Sequence, residues 1–80
     1  MKLVTLYTRH DCHLCEEAMS LLRRLQSEFS FELEEVDIEQ DDKLLKLYQW
    51  RIPVVTLDGR EIAAAPINFS DLRRALAPQQ

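Results

Sequence analysis

The feature that most constrains the fold is a change of hydrophobic period at Cys12, close to the start of the chain. Leu3–Tyr7 is an apolar and β-branched run, which is typical of a central strand buried on both faces. From Cys12 onward apolar residues recur at intervals of three and four, which predicts an amphipathic helix of about four turns. The predicted stripe consists of Cys15, Ala18, Leu22, Leu25 and Phe29, widened by Leu14 and Leu21.

The remaining elements are predicted from the same periods and from turn signals. They are a second strand at Phe31–Ile38, a second helix at Asp41–Gln49, and third and fourth strands at Pro53–Leu57 and Arg60–Ala63. The Asp58-Gly59 pair favours a hairpin between the last two strands. Asn68 or Ser70 is predicted to cap a final helix that ends at Pro78.

The apolar alternation of the second strand slips, because Phe31 and Leu33 share one face while Val36 and Ile38 share the other. A β-bulge near Glu34 and Glu35 would account for the slip. In the second helix we expect the inner face to consist of Leu44, Leu47 and Tyr48, and we expect Trp50 just after it to pack at the core or its rim.

The predicted order is β-α-β-α-β-β-α in one domain that spans residues 1–80. The first two strands flank a helical crossover, so they should be parallel, and the hairpin adds an antiparallel pair. The predicted fold is therefore an α/β domain with a four-stranded mixed sheet and helices on both faces.

Charge and hydropathy narrow the possible surroundings. The formal net charge of −4 argues against nucleic acid or an anionic membrane as a partner. Arg9 comes too early for a secretory apolar region, and no apolar run approaches membrane-spanning length. We expect a cytoplasmic monomer, and in that compartment a cysteine pair is more often catalytic or metal-binding than structural.

Cys12 and Cys15 follow the first strand and open the first helix. The unpaired N–H groups and the dipole at a helix start stabilise a thiolate, so we expect the pKa of Cys12 to fall below the ordinary value of about 8.5. The charge of Asp11 acts in the opposite direction. Cys15 lies on the stripe that faces the core, so the two thiols should be unequal, as dithiol exchange requires.

Three other uses of the pair stay open. A structural zinc site needs four ligands, and the two cysteines with His10 and His13 cannot easily surround an ion from one six-residue stretch. An iron–sulfur cluster shared between two chains is a second alternative. The third is a binding module in which the cysteines only pack.

The segment "LYTRHDCHLCEEA" resembles the active-site segment of glutaredoxins, in the thioredoxin-fold superfamily. There a strand ends in a similar polar and basic run, and Cys-Pro-Tyr-Cys opens a helix. "WRIPVV" falls where that family has a hydrophobic residue followed by a cis-proline, and "DGREI" matches the hairpin after it. The resemblance covers almost the whole chain and implies a glutaredoxin-type fold and thiol–disulfide oxidoreductase activity, a form of electron transfer.

The resemblance also implies roles for single residues. Cys12 corresponds to the nucleophile and Cys15 to the resolving cysteine. Arg9 corresponds to the basic residue that assists the thiolate and contacts the carboxylate of glutathione. Ile52 and Pro53 correspond to the pair whose backbone faces the cysteines and bonds an extended substrate, which implies a cis bond between them.

Glutathione is the reductant that such a resemblance implies, and Ser70 and Asp71 fall near the polar pair that holds its γ-glutamyl end. His13 replaces the usual proline inside the motif, where it either assists ionisation of Cys12 or only fills the turn. The paired glycines expected before the last helix are replaced by "AAAPINFSD". We therefore expect no bound cofactor, weak use of glutathione, a protein or small-molecule disulfide as substrate, and a thioredoxin-type reductant.

Overall fold

The computed structural model describes residues 2–78, and these residues follow the predicted order of elements. The strands are β1 (Lys2–Thr8), β2 (Phe31–Asp37), β3 (Val54–Leu57) and β4 (Arg60–Ala64). The helices are α1 (His13–Gln26), α2 (Asp42–Tyr48) and α3 (Phe69–Leu76). A short 3-10 helix at Ile38–Gln40 joins β2 to α2.

The sheet is mixed, with the strand order β2-β1-β3-β4. β1 pairs in parallel with β2 from Lys2 opposite Phe31 to Thr8 opposite Asp37. β3 runs antiparallel to both β1 and β4. This arrangement confirms that β1 is central and that the α1 crossover joins two parallel strands, so the carboxyl ends of β1 and β2 lie side by side.

Helices cover both faces of the sheet, as predicted. On one face α1 and α3 form the main core with alternate residues of β1 and with β2 and β3. Its buried members are Val4, Leu6, Ala18, Leu22, Leu25, Phe31, Val55, Leu72 and Leu76. On the other face α2 packs against the sheet. The ring of Tyr48 at the end of α2 lies 4.8 Å from the ring of Tyr7 on β1, measured between centroids.

Each helix start and the hairpin have a local cause in the sequence. Asp41 accepts N–H hydrogen bonds at the start of α2, and the side chain of Asn68 accepts the N–H of Asp71 at 3.1 Å to cap α3. Asp58 and Gly59 both have positive φ, at 49° and 87°, as a two-residue hairpin turn requires. Of the two predicted caps of the last helix, Asn68 is the one observed.

The predicted bulge near Glu34 and Glu35 is wrong. β2 pairs with β1 without a break in register, and Ile38 is buried from the 3-10 helix that follows the strand. Because Ile38 has left the strand, its burial does not require the alternation of β2 to shift. The irregularity lies instead between Val55 and Thr56, where β3 pairs with β4.

Three predicted packing positions are also wrong. Leu14, Leu47 and Trp50 are exposed by 55%, 61% and 88%. Leu14 lies in the first turn of α1, about 100° around the helix from the buried Cys15, and in α2 the partly buried Leu45 lies inward in place of Leu47. These large apolar side chains are therefore available at the surface.

We expect Leu22→Ala to lower the free energy of unfolding by about 2–5 kcal/mol, because it leaves a cavity in the core between α1 and the sheet. Leu14→Ala on the same helix serves as the control and should change that free energy by less than about 0.5 kcal/mol. Urea unfolding followed by far-ultraviolet circular dichroism measures both. Equal losses in the two variants would contradict the packing described for α1.

Candidate redox-active site

The two cysteines form a disulfide at the start of α1, with their Cα atoms 5.2 Å apart. Asp11, in the left-handed conformation at φ 56°, turns the chain out of the loop after β1. Cys12 then takes the N-cap position with extended backbone, and its Sγ accepts the N–H of Cys15 at 3.2 Å. A sulfur therefore occupies the place that a hydroxyl or carboxylate takes at most helix starts.

The two sulfurs lie in different surroundings. Cys15 is 2% exposed and lies on the same helix face as the buried Ala18 and Leu22. Cys12 is half-buried at the rim. The predicted inequality in burial is confirmed, so a molecule approaching from solvent meets Cys12 first.

An open groove of about 310 Å³ lies beside Cys12, between the loop after β1, the first turns of α1 and the end of β2. It is lined by Thr8, Arg9, His10, Asp11, Cys12, Glu16, Glu35 and Asp37. The lining contains four carboxylates and one guanidinium. We call it the acidic groove.

The cation in the acidic groove already has a partner. The guanidinium of Arg9 lies 3.2 Å from a carboxylate oxygen of Glu39, on the 3-10 helix after β2. Both side chains are partly exposed, so the pair is solvated. Arg9 thus lies in the acidic groove beside Cys12, in keeping with the resemblance, but the carboxylate of Glu39 offsets its charge.

His13 is the first residue of α1 and its side chain is 82% exposed. Its ring nitrogens lie 3.9 Å from Glu16 and 3.7 Å from Glu17, on the following turn of the helix. Whether His13 assists the ionisation of Cys12 stays a prediction.

A second open groove, of about 500 Å³, lies on the other side of α1. Apolar side chains form most of its wall: Leu14, Ala18, Leu21, Pro53, Ala65, Pro66 and Ile67. Glu17 and Ser20 complete it. We call it the apolar groove; Pro53, which resembles the substrate-facing proline, forms part of its wall, and the Ile52–Pro53 bond is cis as predicted.

Ser70 and Asp71 are exposed residues in the first turn of α3. The Asp71 carboxylate lies 3.3 Å from Arg74, and its N–H is used by the Asn68 cap. Within residues 2–78 no side-chain hydrogen bond or ion pair joins Ser70 or Asp71 to the cysteines, and neither residue lines the acidic groove or the apolar groove. Their role towards a γ-glutamyl group stays a prediction.

The carboxylates of β2 and of the turn after it are the part of the site that sequence reasoning missed. Glu35, Asp37 and Glu39 belong to the acidic run at residues 32–42, which the sequence alone indicates to be a solvated strand face and loop. The available signal was the parallel pairing of β1 and β2, because it places Asp37 opposite Thr8, four residues before Cys12. The predicted crossover therefore already brought the end of that run to the cysteines.

Other chemistry is limited in the part of the chain that the structure describes. Within residues 2–78 no three His, Cys, Asp or Glu side chains lie together in a group that could hold a metal ion. Burial raises the pKa of the Tyr7 hydroxyl above its ordinary value of 10.0, so this phenol is uncharged at neutral pH. No helix among these residues has the length and apolar character needed to cross a membrane.

Sequence comparison points to one family. A family model described as "Glutaredoxin-like domain (DUF836)" matches residues 3–77. The match includes both cysteines, the Ile52–Pro53 pair and the hairpin, so it covers every part of the site described above.

Solved structures agree with that match. Protein Ne2328 from Nitrosomonas europaea is 32% identical, with a TM-score of 0.83 over 95% of this chain and 92% of that one. Protein XcR50 from X. campestris is 36% identical, with a TM-score of 0.77 over 94% of this chain and 99% of that one. A mutant thioredoxin from Halobacterium salinarum is 15% identical and shares the fold, with a TM-score of 0.70 over 94% of this chain and 71% of that one.

We expect Cys12 to react with iodoacetamide well before Cys15 in the folded, reduced protein, because only Cys12 lies at the rim. Mass spectrometry of peptides after timed alkylation measures the two rates. Alkylation of the unfolded, reduced protein is the control, in which the rates should converge. Equal rates in the folded protein would contradict the predicted asymmetry.

Proposed function

The chain belongs to the glutaredoxin-like domain family, and from this premise we propose that it is a thiol–disulfide oxidoreductase that acts through Cys12 and Cys15. The observation that carries the proposal is the disulfide at the start of α1, with one sulfur at the rim and the other in the core. A disulfide between residues three apart closes a very short loop, so it adds little stability. Electron exchange is the better explanation of the pair.

In the reduced protein Cys12 is the nucleophile. Its thiolate attacks one sulfur of a substrate disulfide, forms a mixed disulfide and displaces the first substrate thiolate. Cys15 then loses its proton and attacks the sulfur of Cys12, which releases the second substrate thiolate. Two electrons pass to the substrate, and the chain is left with the Cys12–Cys15 disulfide.

The fold supports both steps. The N–H of Cys15 that points at the Cys12 sulfur would also stabilise a thiolate there, together with the helix dipole. The attack by Cys15 needs no large movement, because one helical turn holds both sulfurs within bonding reach. Burial keeps Cys15 from reacting with oxidants in solvent before Cys12 has formed the mixed disulfide.

The groove charges support a protein disulfide as substrate better than glutathione, which is an anionic tripeptide. Glu39 already pairs with Arg9, and the segment before α3 lacks the glycines that would let backbone approach a small ligand. We therefore propose a protein partner, a thioredoxin-type reductant and no bound cofactor. We place the activity in the cytoplasm, where thiol reductants would return the pair to the dithiol state.

We expect Cys15→Ser to accumulate a mixed disulfide between Cys12 and a protein substrate, because the resolving thiol is missing. Cys12→Ser is the matched control and should accumulate none, since its remaining thiol is buried. Non-reducing electrophoresis and mass spectrometry of the linked peptide measure the product. Absence of a Cys12-linked product, together with a brown protein after purification without oxygen, would favour a cluster carrier instead.

We also expect weak activity in a glutathione-coupled assay. Each missing hydrogen bond to a charged group costs about 1.5–3 kcal/mol, so losing one or two should weaken binding by roughly tenfold to several hundredfold or more. Amide shifts of a Cys12→Ser, Cys15→Ser variant titrated with reduced glutathione measure binding directly. Saturable shifts at millimolar glutathione or below, centred on Arg9, Ile52 and Ser70, would contradict this expectation.

A further inference from the structure

We propose that the substrate is a polypeptide whose reactive cysteine lies between a cationic side chain and an apolar one. This inference rests on the proposed redox function and names the class of substrate that the same site selects. It follows from the two grooves, which differ in chemistry and lie on opposite sides of the first turns of α1.

The acidic groove supplies the preference for a cation. Asp11, Glu16, Glu35 and Asp37 line it, and their side chains come from three different segments of the chain. Arg9 is the one guanidinium in the lining and faces the carboxylate of Glu39. A lysine or arginine beside a substrate cysteine would meet this negative potential as the cysteine approaches Cys12.

Negative charge is concentrated at this end of the molecule. The groove carboxylates with Glu39 number five, and Arg9 is the only lysine or arginine among them, so this group carries a formal charge equal to the net −4 of the chain. From totals of 14 acidic and 10 basic residues, nine of each remain elsewhere. The rest of the chain is therefore neutral on balance.

The long axis of α1 separates this negative end from a positive one. Arg23 and Arg24 lie in the last turn of α1, about 17 Å along the helix from Cys12 at a rise of about 1.5 Å per residue. The guanidinium of Arg24 lies over the ring of Phe69 on α3. Such a charge separation would orient a cationic partner towards Cys12 before contact.

The apolar groove supplies the second preference. Leu14 is 55% exposed, lies in the first turn of α1 and lines the apolar groove. Behind it Pro53, Pro66 and Ile67 continue the apolar wall. A small anionic thiol cannot cover this surface, whereas an apolar residue next to a substrate cysteine would remove Leu14 from water.

Three peptides of equal length test the substrate preference, and each is supplied as a disulfide-linked pair. In the first the cysteine is flanked by lysine and leucine, in the second by glutamate and leucine, and in the third by lysine and serine. The measured quantity is the second-order rate constant for their reduction by the reduced chain. We expect the first peptide to react about tenfold faster than the second at an ionic strength of about 0.01 M, where the Debye length is about 30 Å.

Salt separates charge from packing without changing the protein. At about 1 M ionic strength the Debye length falls to about 3 Å, so the first and second peptides should react at nearly equal rates. The advantage of the first peptide over the third comes from apolar contact and should persist at high salt. Equal rates for the first and second peptides at low salt would overturn the proposal.

Two pairs of surface variants locate the effect. Glu35→Lys should slow the lysine–leucine peptide about fivefold at low salt, while Glu32→Lys, an equal charge change at the other end of β2, should have a much smaller effect. Leu14→Ser should remove the advantage of leucine over serine, whereas Leu47→Ser, at another exposed leucine, should not. Equal effects within either pair would contradict the assigned groove.

The same measurements distinguish failure of this inference from failure of the redox function. If all three peptides are reduced through Cys12 at equal rates, the oxidoreductase proposal survives and the preference is wrong. If none is reduced while dithiothreitol reduces them under the same conditions, the proposed function itself fails. Circular dichroism of each variant confirms that the substitutions, all at exposed side chains, leave the fold intact.

Discussion

The packing of α1 against the centre of the sheet determines both the stability of the molecule and the inequality of its cysteines. Leu22 and Leu25 fix the rotation of the helix on β1, and that rotation directs Cys15 towards the core. Cys12, three residues earlier and outside the regular helix, is left at the rim. The same hydrophobic contacts that hold the domain together therefore assign different environments to two chemically identical thiols.

The site has the framework that the glutaredoxin resemblance implies, and acidic side chains surround it. The cysteine pair, the cis Ile52–Pro53 bond and the hairpin are all present in the expected places. Around them, however, carboxylates outnumber cations, and Arg9 is paired within the chain. The framework fits a redox role, and in the proposed function the charges would influence which disulfides reach Cys12.

The order of elements could be predicted because each has a local cause: the period change at Cys12, the Asp58-Gly59 turn and the Asn68 cap. The predictions that were wrong concerned features that depend on tertiary contacts. Leu14 and Leu47 fit an apolar period but lie where no element covers them, and the slip in β2 arose from a 3-10 helix rather than a bulge. The acidic groove was hidden for the same reason, since its members are distant in sequence and only the pairing of β1 with β2 brings them together.

Because β2 lies at the edge of the sheet, its glutamates also affect how two copies of the chain can approach each other. β2 is an outer strand of the sheet, and among residues 2–78 no strand pairs with its outer side. Glu32, Glu34 and Glu35 lie along this strand, so two copies approaching edge to edge would bring rows of like charge together. The acidic run thus opposes the strand addition that leads to aggregates, and a chain that lost these charges to accept an anionic substrate would also lose protection of its open edge.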